Sequence, residues 1–169
     1  MHPTAPMVRL ACAVELDEAL LRVRFEVGNE GDEVVHVYDD LGRSTDPKVL
    51  CDGGDGSVRM LVGVPALPRF PVYWMYHPKA TALAPGSSVR RELAAALPLR
   101  ERGVYYKLAY EAGEVVTVAR LHLRVDVLRA SRVRPDQPEP RGPLECVAAE
   151  VALPRAVALL RRADDFARE

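Results

Sequence analysis

Four histidines and twenty-four carboxylates are the raw material for catalysis in this chain of 169 residues, and few of them stand close enough in sequence to act together. His36, Asp39 and Asp40 form the tightest group, with an H-x-x-D spacing that could begin a metal site or a hydrolytic centre. On an extended strand, however, His36 and Tyr38 share one face while Asp39 points to the other, so a joint site needs a bend. No second histidine or third ligand follows at a fixed spacing to complete a donor set. The run Asp52-Gly53-Gly54-Asp55-Gly56 alternates carboxylates with glycines as calcium loops do, but lacks the third carboxylate and the closing bidentate Glu. A surface turn suits it better. Ser87 and Ser88 lie outside any G-x-S-x-G elbow, Cys12 and Cys51 have no neighbouring His, and no phosphate-binding or dinucleotide glycine pattern occurs. The expectation is a non-enzyme with no cofactor and no metal. A small metal-dependent hydrolase around His36, Asp39 and Asp40, or His77, is the alternative.

Binding chemistry is better represented. The chain has ten aromatic residues, and four of them fall between Phe70 and Tyr76. Arg69, Phe70, Tyr73, Trp74 and Tyr76, set among the prolines of 65–78, have the composition of a protein-binding hot spot, because large area is buried there at low entropic cost. Alternation along a strand would send one pair of these side chains inward and the other out. A second reading makes the proline-braced stretch Val64 to Pro71 the bait of an intracellular proteinase inhibitor. Arg120, His122 and Arg124, continuing to Arg129, Arg132 and Arg134, draw a basic stripe that would meet phosphate or an acidic partner, or simply pair with neighbouring Glu side chains on a wet sheet face.

The elements that must position these residues read as strands. Leu21, Val23, Phe25 and Val27 alternate with Arg22, Arg24, Glu26 and Gly28, and Leu121, Leu123, Val125 and Val127 alternate with His122, Arg124 and Asp126. Further strands are expected over Val8–Leu16, Val34–Tyr38, Val58–Val64, Val72–His77, Val89–Leu97 and Val104–Tyr110, separated by Gly, Pro, Asn and Asp turns. So many short strands, with no long helical period between them, indicate a sandwich or barrel.

After Ala130 the composition changes. Residues 131–143 carry four prolines and read as an extended linker, and 144–169 as a separate C-terminal segment. Leu144 to Ala152 suits either strand or helix, whereas Pro154 to Arg168 reads as a helix with Pro154 at its first position and Leu159, Leu160 and Phe166 on one apolar stripe. That stripe is costly to leave in water, so it packs back on the sandwich or docks onto a partner or a second copy. The linker keeps the local concentration high and favours the first.

Composition bounds the setting. The formal net charge of −1 removes the global attraction that nucleic acid or an anionic membrane requires, so neither is expected as a partner; an unidentified protein is. Three widely spaced cysteines without a C-x-x-C make neither a disulfide framework nor a zinc site. No charged-then-apolar leader opens the chain and no run of about 18 apolar residues occurs, so a cytoplasmic protein with reduced thiols is expected.

Three short motifs resemble bacterial immunoglobulin-like domains: Val27-Gly28-Asn29-Glu30-Gly31-Asp32 is similar to their N-x-G-D turn, Leu83-Ala84-Pro85-Gly86-Ser87 to their L-x-P-G turn, and Glu101-Arg102-Gly103-Val104-Tyr105 to a tyrosine corner. The resemblance spans about residues 8–130 and implies an all-β, immunoglobulin-like antiparallel β-sandwich, followed by the linker and short helix. Lys107 stands where a disulfide-bonded member would carry its second Cys, so no intersheet disulfide is implied. Apolar alternation turns Val104, Tyr106, Leu108 and Tyr110 inward, which sets Tyr105 on the opposite face from a standard corner. The resemblance speaks to fold, not to activity.

Overall fold

Strict alternation builds the smaller of two main sheets. In the computed structural model, which describes residues 7–43, 46–47, 50–65, 77–102, 112–136 and 142–162, β1 (Val8–Leu16), β2 (Leu20–Asn29) and β9 (Ser88–Ala96) form an antiparallel sheet in the order β1-β2-β9. Leu21, Val23, Phe25 and Val27 are buried on its inner face, with Val89, Leu93 and Ala95 beside them.

The larger sheet is organised on β11 (Ala112–Arg129), whose residues 121, 123, 125 and 127 supply the centre of the core. One edge of β11 pairs with β12 (Glu145–Arg162); the other pairs first with β7 (Ser57–Val62) and then with β3 (Val35–Val37). Outward from these lie β6 (Leu50–Gly54) on β7, β8 (Thr81–Leu83) on β3, and β10 (Leu99–Arg100) on β12. A two-stranded ribbon, β4 (Gly42–Arg43) with β5 (Asp46–Pro47), stands apart. Side chains from both sheets join in one apolar cluster, as the two facing layers of a sandwich do.

Two findings depart from the expected architecture. First, the larger sheet is mixed: β7 runs parallel to β11, and β10 parallel to β12, where an all-antiparallel sandwich was expected. Second, residues 154–162 are strand, not helix. β12 runs as far as Arg162, and the residues that would have made a helical stripe separate accordingly: Leu159 is fully buried opposite Val116, whereas Leu160 is only half-buried.

Pro154 explains the misreading. Ala152 lies opposite Arg120 and Val157 opposite Val118, so Leu153, Pro154, Arg155 and Ala156 all stand against Ala119 alone. A proline has no N–H to give a ladder, and in this bulge none is asked of it. Ala119 sends its N–H to the Gly56 carbonyl at 2.8 Å, Leu153 turns into the core, and an Arg155 Nη2 donates to the Asp17 carbonyl at 2.7 Å. The short helix found is a 3-10 turn, Ala130–Arg132, and no helix among the described residues is long and apolar enough to cross a membrane.

The turns follow their residues. Asp55 and Gly56, with φ of 55° and 76°, close the β6–β7 hairpin as a two-residue turn that requires positive φ at both positions. In the β8–β9 turn, Pro85 and Gly86 (φ 79°) stand between the Ala84 carbonyl and the Ser87 N–H, which are bonded at 3.0 Å.

Asn29 connects that turn to β2. Its side chain is buried and its amide nitrogen donates to the Glu33 carbonyl at 2.8 Å and the Leu83 carbonyl at 2.9 Å, while its Oδ1 accepts from the Gly31 N–H at 3.0 Å. Its backbone accepts from the Gly86 N–H and donates to the Ser87 carbonyl. Thus the N-x-G-D and L-x-P-G motifs meet directly. Replacing Asn29 with Ala strands several buried polar groups at once and is expected to cost about 2–4 kcal/mol in urea unfolding, with the slope of the transition unchanged.

Candidate functional site

The segment 66–76, which holds Arg69, Phe70, Tyr73, Trp74 and Tyr76, lies outside the described residues, as does Phe166. What the structure describes is the pair of stems that bracket it. The first is the end of β7, where Val62 pairs with Val125 of β11. The second leads into β8, where Thr81 pairs with Val37, which in turn pairs with Val127 of β11. Both stems therefore reach the same end of β11, and Asp126 stands between their pairing partners.

Asp126 is a junction. Its backbone carbonyl accepts the Tyr38 N–H at 3.0 Å, and its buried side-chain Oδ2 accepts the Val64 N–H at 2.9 Å. The carboxylate comes so close to Gly63 that any Cβ there would overlap it. Burial pushes the Asp126 carboxyl above its ordinary range, against the smaller lowering effects of the Val64 N–H and of Arg124. On the second stem Pro78 is buried, and the Lys79 N–H faces Asp40 Oδ2 at 3.5 Å.

The His36, Asp39 and Asp40 group takes on structural duties here. Asp39 is buried, accepts the Thr81 hydroxyl at 2.8 Å and lies 2.7 Å from an Arg91 Nη2, joining the inner side of the smaller sheet to the stem of the larger one. Asp40 accepts the Gly42 N–H at 2.9 Å. His36 is held below its usual pKa by partial burial. Among the described residues no three His, Cys, Asp or Glu side chains converge as a metal site would require.

The basic stripe is assembled on the outer face of the larger sheet, where His122 sits directly beside Arg59, a neighbour the sequence could not supply without the parallel β7–β11 register. A shallow cleft of about 360 Å³ opens there between Gly54, Asp55, Ser57, Arg59, His122, Arg124 and Ala148. Its charges are largely matched: Arg59 pairs with Asp52 at 2.8 Å, Arg120 with Glu150 at 2.9 Å, and His122 Nδ1 lies 3.8 Å from Glu150. Further along, Arg129 and Arg132 converge on Glu145. Two of the three thiols are shielded. Cys51 is buried and its pKa is pushed up to about 12, and the half-buried Cys12 is shifted the same way by the same cause.

Asp126 is the residue that sequence reasoning passed over: alternation set it on the face of His122 and Arg124, as found, but gave no sign that it is buried there. The signal was the neighbouring Val62-Gly63-Val64, whose glycine leaves room for the carboxylate. A carboxyl raised in the native state binds more protons than its unfolded counterpart, so it costs stability as pH rises from the ordinary carboxyl value of 3.8 through its native pKa. Asp126→Asn keeps an acceptor for Val64 and removes the charge. Its stability relative to wild type is expected to improve as pH rises through that window and to level off above it, measured by urea unfolding at matched pH. Comparison with protein-family models, with curated proteins and with solved structures found no match for this chain.

Proposed function

We propose that this chain is a non-catalytic protein-interaction module that offers the aromatic segment Arg69–Tyr76 to a partner protein from one end of an immunoglobulin-like sandwich. The observation that carries the reading is the fixing of both stems. Val64 is bonded to a buried carboxylate, Pro78 is buried, and both strands that flank the segment are registered, directly or through β3, to β11 on either side of Asp126. Anchored ends reduce the entropy that a binding segment loses on docking, which lets a few aromatic side chains carry most of the affinity. The immunoglobulin-like assignment is supported by the direct bonding of Asn29 to the β8–β9 turn, which joins two of the three motifs on which the resemblance rests; the third, Glu101 to Tyr105, lies largely outside the described residues. Leu159 is core and is not proposed for binding, and Leu160 is half-buried in a strand paired on both sides.

The test is capture from native lysate with the full chain and with the Trp74→Ala/Tyr76→Ala variant, after circular dichroism and thermal unfolding have shown both to be equally folded. The proteins retained by wild type are expected to be lost from the variant, each truncation removing about 2 kcal/mol or more of binding energy if these are anchors. Identical capture by the two proteins assigns recognition elsewhere and removes this reading.

A further inference from the structure

β1 and β9 are the two outer strands of the smaller sheet, each with one edge unpaired among the described residues, and the sequence of β1 is complementary to itself. The bonds from the Glu30 N–H to the Met7 carbonyl and from the Asp17 N–H to the Leu20 carbonyl fix the phase of the β1–β2 ladder. Odd-numbered residues, Arg9 to Glu15, turn their backbone groups to β2; Leu10, Cys12 and Val14 turn theirs to the open edge. Among the described residues no strand is hydrogen-bonded along that edge, and β12 is the element of the larger sheet that packs close to β1. Natural edges are usually blunted by lysine, proline, a bulge or shortness. β1 has nine residues in unbroken register with β2 and carries none of these devices.

We propose that β1 pairs antiparallel with β1 of a second copy of this chain, about a twofold axis passing beside Cys12. In that register Arg9 faces the partner's Glu15, Ala11 faces the partner's Ala13, and Leu10 faces the partner's Val14. Every outward pair is then complementary in charge or small enough for close approach. The odd positions fall at non-hydrogen-bonded pairs, where side chains lie nearest across the strands. Leu10, Cys12 and Val14, only half-buried in the single chain, gain apolar cover on the inner side.

The new contacts also continue a pattern already present. Glu15 binds Arg24 at 2.8 Å and Arg24 binds Glu92 at 2.6 Å, an alternating row across all three strands. Arg9 binds Glu30 at 2.9 Å. Pairing two copies joins these rows end to end, with signs alternating through the junction. Because the same patch meets itself, the assembly closes as a dimer with a continuous six-stranded sheet and leaves no β1 edge for further addition.

The experiment is sedimentation velocity of the full chain over a wide concentration series, with three variants. Wild type is expected to approach twice the chain mass of 18.6 kDa. Arg9→Glu sets like charges opposite each other twice and is expected to raise the dimer dissociation constant about tenfold or more. Arg9→Glu/Glu15→Arg restores both cross-copy pairs and is expected to recover the dimer, although it disturbs the pairs within each chain. Ala11→Lys/Ala13→Lys, exposed in the single chain, opposes lysine to lysine and is expected to leave a folded monomer. A wild type that stays monomeric, a dimer indifferent to Arg9→Glu and to the lysine variant, or a charge exchange that fails to restore association would each overturn the proposal.

Discussion

The buried amide of Asn29 is the interaction on which the two-sheet arrangement depends. β8 belongs to the larger sheet and β9 to the smaller, so the turn between them is where the chain crosses from one layer to the other. Apolar packing holds the layers together but is non-directional and would tolerate many relative positions. Asn29 removes that freedom. It ends β2 and at the same time bonds the last carbonyl of β8 and both Gly86 and Ser87 of the crossing turn. Because the side chain is almost wholly out of water, each of those bonds is also an obligation, and a displaced turn would leave donors and acceptors bare.

Two further polar junctions work the same way at other places on the sandwich. Asp39 ties Thr81 of the larger sheet to Arg91 of the smaller, and Asp126 ties the end of β7 to β11. The costs of the two differ. Asp39 has a guanidinium beside it to offset its burial, whereas Asp126 has one backbone N–H bonded to it and the more distant field of Arg124, so burial dominates its titration. A carboxylate kept under those conditions fixes Val64, the residue from which the chain departs toward the aromatic segment. Stability is given up there for a defined exit.

Much of the sandwich was legible from alternation alone. Residues 21–27 and 121–127 stand where a period of two puts them, because one face of each strand meets the core. What was not legible has a common cause: it depends on partners distant in sequence. Nothing local in Val58–Val62 says that its neighbour will be parallel β11, and so the approach of Arg59 to His122 was hidden. The C-terminal strand was concealed by composition. Ala-, Leu- and Arg-rich sequence after a proline is helical by local propensity, but pairing along β11 and burial of Leu153, Val157 and Leu159 override it. Of the candidate site, the aromatic cluster was readable as composition. Asp126 was not, since the alternation that identifies a strand also assigns its polar residues to solvent.

The charge distribution constrains how such a molecule can recognise anything. With a net charge of −1 and its surface arginines largely matched by carboxylates in cross-strand rows, the protein projects little long-range field. Partners are not drawn in from a distance or selected by overall sign. On the proposed reading, selection comes at contact, from groups whose value appears only when water is excluded: aromatic faces, backbone donors and acceptors of an open strand edge, and ion-pair rows that match only in one register. Each of these is sensitive to displacements of an ångström or so, so the proposed reading gives the polar junctions at Asn29, Asp39 and Asp126 a part in binding as well as in folding. A sandwich held by packing alone would have a core, but not the fixed edges and stems that recognition at contact requires.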